Sequence, residues 1–323
     1  MHRIWSERPI PTKFLPLLEK QAEPSGAASD TPDDLFAALP GSHAVVAAAR
    51  VTYDATFLDR VPTMRAICRM GIGYDNIDVE VATDRGVAVC NVPDGPTLAT
   101  AEHAITLMLA VTKHLKWSDR AIARGEAIDY LTANPGVDVA GRTLGLVGLG
   151  RIGSRVAAMA KGLGMRVCAF DPYVEPKLAE ELGIELAPSL DDLLSSADVV
   201  SLHMPLTEKT KHTMNASRLK QMKPNSYLVN CARGGLLDEA ALLESLESGH
   251  LSGAALDVFD SEPPAPDHPL LQRDDVIGTP HIASATAEGK DRLWEGAIVQ
   301  AMQILRGERP AHLVNPDVWA LHQ

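Results

Sequence analysis

Three glycines within six residues, Gly148-Leu-Gly150-Arg-Ile-Gly153, stand between the apolar run 143–147 and the apolar-periodic segment 152–163. Few folds accommodate that series. The first glycine permits a tight turn, the second a close approach of backbone to phosphate, and the third close packing of helix on strand. The helix that follows offers free N–H groups and a positive dipole end to an anion. A lone GxGxxG is a weak signal, but here it has the preceding strand and following helix that its mechanism requires. The next apolar run, 165–170, ends at Asp171, eighteen residues beyond Gly153. A carboxylate there can accept hydrogen bonds from adenosine ribose hydroxyls and would repel a 2′-phosphate, so NAD is expected rather than NADP. With Pro172 next to it, Asp171 also reads as the first residue of an Asp-Pro turn, and both readings stand at this point.

Short apolar or β-branched runs recur at 44–49, 66–69, 87–91, 143–147, 165–170, 198–202, 226–230, 254–258 and 276–278. Helix-like segments lie between many of them, as at 152–163, 191–197 and 238–248, with Asp191 and Asp238 as expected N-caps. Strands alternating with helices imply parallel sheets covered on both faces, and uniformly apolar strands suit that burial. Longer helical patterns at 97–116 and 285–306, the second stopping at Gly307, interrupt the rhythm. Taken as crossings, they predict an α/β protein of two doubly wound parallel-sheet domains. A Rossmann NAD-binding domain at 98–286 would be inserted into a flavodoxin-like substrate domain formed by 1–97 and 287–323. A polar, turn-rich connector is expected at 25–34.

With 46% hydrophobic and 22% charged residues, the chain has the profile of a globular protein. Its formal net charge of −12 argues against nucleic-acid or anionic-membrane partners. An anionic small molecule needs only one local Arg. Cys68, Cys90, Cys168 and Cys231 are far apart with no CxxC pair, which suggests neither zinc nor a disulfide framework. The N-terminal residues lack the apolar stretch of a signal peptide, and the apolar stretch around 104–111 falls well short of the roughly 20 residues of a membrane span. A cytoplasmic protein without membrane partner is expected. Asp75, Asn76 and Asp78 could suggest a metal, but with Gly71-Ile-Gly73 they read as a turn built on local side-chain bonds, so no metal is expected.

Three polar residues each follow an expected strand of the inserted domain: Arg233 after 226–230, Glu262 after 254–258 and His281 after 276–278. Open α/β sheets bind ligands at that end. Reduction of a 2-keto acid needs a fixed cation for the carboxylate, a proton donor for the carbonyl oxygen, and a group that keeps the donor charged. Arg supplies a planar fork that never loses charge. His exchanges a proton near neutrality. A neighbouring carboxylate favours the imidazolium, which assigns Glu262. Singly, each has an ordinary alternative: a loop cation before Gly-Gly, a solvated charge before prolines, a capped loop histidine.

These residues sit in stretches that resemble the D-isomer-specific 2-hydroxyacid dehydrogenases over nearly the whole length. The stretches are GIGYDNID (71–78), GVAVCNVP (86–93), TAEHAITLML (100–109), GRTLGLVGLGRIG (141–153), HMPLT (203–207), NCARGGLLDEAAL (230–242), ALDVFDSEP (255–263) and TPHIAS (279–284). The resemblance implies a phosphoglycerate dehydrogenase-like or glyoxylate/hydroxypyruvate reductase-like enzyme moving a hydride between NAD(H) and a small 2-hydroxy or 2-keto acid. It implies Arg233, Glu262 and His281 as the catalytic set. It places the substrate in a cleft between domains, held by Arg233, His281 and the backbone near Ile72 and Gly73. It assigns cofactor contacts to Thr100, Arg151, Ile152, Asp171, His203, Cys231, Ala232 and Asp257, beside Gly148, Gly150 and Gly153. It further implies that the helix at 97–116 helps build a homodimer.

Glu262 stands where formate dehydrogenases carry Gln, so formate is not the expected substrate. The chain ends at Gln323 without the added C-terminal domain of longer phosphoglycerate dehydrogenases, so a short enzyme of that type is one expectation. The C-terminal binding corepressors share GYDNID and AVCNVP and the catalytic set, leaving an NAD-sensing binding protein as the alternative. Cys231 is expected to be a small pocket-wall residue, His103 and His114 packing or interface residues, and Trp294 and Met302 core. Arg50, Tyr53 and Arg69 are candidates for lining the substrate pocket.

Overall fold

The computed structural model describes residues 1–29, 34–129, 131, 133 and 136–321, so positions 30–33 of the expected connector lie outside the described residues. The chain divides into two compact units, Met1–Pro96 with Ala285–Gln323, and Thr97–Ser284.

The first unit holds strands β1 (His2–Ser6), β2 (Ala22–Gly26), β3 (Ala44–Ala47), β4 (Ala66–Arg69) and β5 (Ala88–Cys90). They form one parallel sheet in the order β2-β1-β3-β4-β5, the flavodoxin-like order. Successive residues of β3 serve opposite faces, as the two-residue period of a strand demands. Ala44 and Val46 pack with Ala297, Ile298, Ala301 and Met302 of the helix Ala287–Leu305, whereas Val45 and Ala47 pack with Trp5, Tyr53 and Phe57. That helix starts at Thr286, whose side chain accepts the Gly289 N–H, and its end is followed by Gly307 at φ +77°. Met302 is core as expected; Trp294 is only partly buried. Strands β1 and β2 were not expected. Strand β2 contains Pro24 and is an edge strand, paired among the described residues to β1 alone, the position where a sheet tolerates proline.

The second unit holds β6 (Thr143–Val147), β7 (Arg166–Phe170), β8 (Glu185–Leu186), β9 (Val199–Leu202), β10 (Ser226–Asn230), β11 (Leu251–Leu256) and β12 (Val276–Gly278). All are parallel, in the order β12-β11-β10-β9-β6-β7-β8. The order reverses between β6 and β9, which creates a crevice at their carboxyl ends. One face buries Val200, Leu202, Leu228 and Leu256; the other buries Val199, Tyr227, Val229 and Ala255 against Ala104, Leu107 and Met108 of helix Thr97–Thr112. Each buried Val or Leu contributes roughly 1.5–3 kcal/mol, so the two cores hold this sheet far more firmly than any cap could.

Two helix boundaries differ from expectation. The pattern at 97–116 is two helices, Thr97–Thr112 and Leu115–Ala123, separated by His114 at φ +54°. The reason is tertiary: the Thr112 carbonyl, which a continuing helix would use, accepts the N–H of Val137 at 2.9 Å. Helix Leu190–Ser196 is capped by Ser189, whose hydroxyl accepts the Asp192 N–H, and not by Asp191, which falls within the first turn. Asp238 does cap its helix, Glu239–Glu247, by accepting the Ala241 N–H.

Candidate active site

The glycine turn closes at the reversal in strand order. Gly148 follows β6 at φ +103°, and a Cβ there would lie 2.7 Å from the carbonyl oxygen of His203. Its N–H is donated to the Phe170 carbonyl at 2.9 Å, tying the turn to β7. Gly153 opens the helix Arg151–Gly162, where a Cβ would collide with the Gly148 carbonyl. Gly150 is different. It occupies the N-cap with no side-chain cap, and a Cβ on it would meet nothing within 4 Å. The protein itself does not require glycine there, whereas a pyrophosphate seated on the helix N-terminus would. The residues present therefore fit a dinucleotide. Arg151 is exposed at the start of this helix and Ile152 is partly buried behind it.

Asp171, just past β7, accepts the Leu149 N–H on Oδ2 and the Tyr173 N–H on Oδ1, both at 2.9 Å. The Asp-Pro turn is thus present, and the same carboxylate is fastened to the glycine turn, with lone pairs to spare on each oxygen. His203, just past β9, has its Nε2 at 2.8 Å from Ser201 Oγ, and desolvation lowers its pKa to about 4, so it is neutral near pH 7. Thr100 is buried on helix Thr97–Thr112. Cys231 is buried in the core, and burial followed by the nearby Asp257 charge pushes its thiol well up, leaving it inert.

Arg233, Glu262 and His281 come from three separate loops of this unit. Strand β10 ends at Asn230, which is fully buried; its side chain accepts the Ala232 N–H at 3.0 Å and donates to the Arg233 carbonyl at 2.8 Å. Gly234 follows, where a Cβ would collide with the backbone of Phe259 and Asp260, so the Arg233 loop lies directly against the loop that carries Glu262. Glu239 accepts the Asp260 N–H at 2.9 Å and contacts His268 at 3.0 Å, and so braces that loop. Neither Asn230 nor Glu239 is among the residues expected at the site from the sequence. The available signal was a polar residue closing the apolar run 226–230.

His281 Nδ1 lies 2.6 Å from Glu262 Oε2, and the two side chains are 44% and 37% exposed. Half-burial tends to raise the Glu262 pKa, but the hydrogen bond and charge of His281, the Phe259 N–H and the Arg233 charge outweigh it and hold the carboxyl below its ordinary value. An ionised carboxylate only accepts, so Nδ1 carries the hydrogen and Nε2 is left for chemistry. Asp257 anchors the His281 loop. Only 1% exposed, it accepts the Thr279 hydroxyl at 2.6 Å and the N–H groups of Ile282 and Ala283 at 2.9 Å, while its own carbonyl accepts the His281 N–H at 2.7 Å. His103, expected as packing or interface, instead reaches this anchor, with Nε2 3.1 Å from Thr279 Oγ1.

In the first unit, Ile72 and Gly73 lie partly buried in the turn after β4, where Asn91 Nδ2 donates to the Ile72 carbonyl at 2.8 Å. Asn76 does not make the local bonds expected of it. Its amide donates to the carbonyls of Ala48 and Val51, at 3.1 and 2.7 Å, and so braces the loop after β3. Tyr53 is fully buried with its hydroxyl on the buried Glu7 carboxylate, so its side chain is core and does not line a pocket. Arg50 is exposed, whereas Arg69 folds back onto the Met70 carbonyl.

Comparison with known proteins gives a consistent result. The family model described as "D-isomer specific 2-hydroxyacid dehydrogenase, NAD binding domain" matches residues 105–283. A D-3-phosphoglycerate dehydrogenase of Methanocaldococcus jannaschii is 38% identical over 98% of this chain, which spans 60% of that protein's length. A glyoxylate reductase of Korarchaeum cryptofilum is also 38% identical, over 98% of this chain and 96% of its own. Among solved structures, the TT0316 protein of Thermus thermophilus superposes with a TM-score of 0.89 at 36% identity, covering 97% of this chain and 99% of that one. A D-lactate dehydrogenase of Aquifex aeolicus, complexed with NAD and lactic acid, superposes with a TM-score of 0.82 at 27% identity and the same coverage.

Proposed function

Since the chain belongs to the D-isomer specific 2-hydroxyacid dehydrogenase family, we propose that it moves a hydride between NAD(H) and a small 2-hydroxy or 2-keto acid. The favoured substrates are glyoxylate, hydroxypyruvate and phosphohydroxypyruvate. Bound NADH supplies the hydride in the reducing direction. The rest falls to this chain's side chains. Arg233 fixes the substrate carboxylate with its planar fork. His281 gives the Nε2 proton to the carbonyl oxygen as C2 is reduced, and takes it back in the oxidative direction. Glu262 accepts from Nδ1, fixes the ring's orientation and stabilises the imidazolium. The 2.6 Å contact between His281 and Glu262, beside Arg233, is the observation that carries this reading.

The test is a panel of keto acids assayed for oxidation of NADH and of NADPH. Turnover with at least one of the three favoured acids, and preference for NADH, is expected. Asp171→Ala should narrow that preference by about tenfold, the worth of one charged hydrogen bond at roughly 1.5 kcal/mol. Tight NADH binding without turnover of any acid would favour the NAD-sensing binding protein instead, for which no structural observation speaks.

We further propose that the second unit self-associates through helices Thr97–Thr112 and Leu115–Ala123, where Leu98, Leu115 and Ile122 are 44%, 55% and 75% exposed. Light scattering should give the mass of a dimer. All four cysteines are free and buried, which suits the reducing cytoplasm we propose as its compartment. Among the described residues no helix is long and apolar enough to cross a membrane.

A further inference from the structure

His103 projects from helix Thr97–Thr112 with 19% of its side chain exposed. Its Nε2 lies 3.1 Å from Thr279 Oγ1 and 3.4 Å from Asp257 Oδ1. The chemistry fixes the direction of each bond. The Thr279 hydroxyl has one proton, which it directs to Asp257 Oδ1 at 2.6 Å. Its oxygen can then only accept from His103, whose Nε2 must carry a hydrogen. The series therefore runs one way, from His103 to Thr279 to Asp257.

What hangs on Asp257 is the loop of the proposed acid. Its carboxylate receives the N–H groups of Ile282 and Ala283, and its main-chain carbonyl receives that of His281. His281 itself has φ +53°, a left-handed conformation uncommon outside glycine, although His114 and His212 of this chain adopt it too. Thr279, two residues earlier, opens the loop, and His103 is a donor from outside the loop to its hydroxyl oxygen.

We propose that His103 is a positioning residue for the proton-transfer step: through Thr279 and Asp257 it holds the His281 loop in its left-handed turn and so fixes where Nε2 of His281 points. The inference rests on the function proposed above. A residue that merely fills space at this position would affect stability and leave turnover per folded molecule alone.

The experiment compares the full-length chain with His103→Phe, which keeps bulk and loses the donor, His103→Gln, which restores an N–H donor, and Thr279→Val. His103→Phe should lower kcat about 10–100-fold, up to what a misplacement of about 1 Å can cost, with NADH affinity and keto-acid KM within about twofold of wild type. His103→Gln should recover most of the loss. The double variant His103→Phe/Thr279→Val should lose less than the product of the two single losses, because both residues act on Asp257. Hydrogen exchange of the segment 279–284, which needs no turnover, should be faster in His103→Phe and restored in His103→Gln. Unchanged kcat in His103→Phe, or equal losses in the Phe and Gln variants, would overturn the proposal. If the wild type turns over no keto acid, the functional reading fails, and unchanged exchange would then overturn the positioning role by itself.

Discussion

The side chain of Asn230 reaches across three residues to Arg233, donating to its carbonyl at 2.8 Å while accepting the Ala232 N–H at 3.0 Å. A fully buried strand-end amide thus sets the shape of the loop that presents the cation. Because both its polar atoms are used inside the protein, removing it leaves partners behind that have lost theirs, the costly half of hydrogen-bond energetics.

Asn230→Ala is accordingly expected to cost about 1–3 kcal/mol of stability. It should also raise KM for the keto acid, and by more than it weakens NADH, whose expected contacts Cys231 and Ala232 lie on the same loop. Thermal unfolding and steady-state kinetics check the two parts. A fall in Tm without a change in KM would show that the loop keeps its shape unaided.

His281→Ala should lower kcat by roughly 10²–10⁴ and preserve NADH binding, since the ring is no part of the glycine turn. Glu262→Gln keeps an acceptor for the Phe259 N–H, which Glu262 receives at 3.3 Å, but loses the charge that stabilises the imidazolium. Its defect should therefore appear in kcat more than in Tm. Fluorescence titration with NADH separates binding from chemistry.

The glycines of the turn should behave oppositely. Gly148→Ala forces a side chain into φ +103° and against the His203 carbonyl, so Tm should drop markedly. Gly150→Ala meets no protein atom within 4 Å and has φ −78°, so Tm should stay near wild type while NADH affinity falls. Equal affinity in Gly150→Ala would remove the pyrophosphate from this position.

Asp198 gives a test in pH. Partial burial tends to raise its pKa, but the Lys223 ammonium at 2.6 Å, the Thr143 N–H at 2.8 Å and Arg142 hold it below the ordinary 3.8. A depressed carboxyl contributes stability that is full above its unfolded pKa and is lost as pH falls through the folded value. The Tm difference between wild type and Asp198→Asn should thus be largest near neutrality and shrink below about pH 4. A difference independent of pH would mean that the charge is not what matters.

Local chemistry made part of this molecule legible. The glycine turn, the Asp238 cap and the apolar strands of the second unit each follow from residues adjacent in sequence. The misses share a physical cause. Nothing in the run through Thr112 and His114 breaks a helix; the break comes from Val137, a partner 25 residues away. Ser189 and Asp191 are both good caps, and only backbone geometry chose between them. Strand β2 reads as a loop because an edge strand needs little hydrophobic pattern of its own. At the site, Arg233, Glu262 and His281 stood out by residue type, while Asn230 and His103 did not, because their importance lies in what they reach. Tyr53 was misplaced for the same reason: the buried Glu7 beneath it could not be seen from residue 53 alone.

The side chains assigned here to proton transfer and carboxylate capture, with the asparagine, aspartate and histidine that steady them, all lie between Thr97 and Ser284. That stretch enters and leaves its host at just two points in the chain. The reaction machinery is in that sense a cassette. Substitutions in the remaining segments can accumulate without altering any member of that set of side chains.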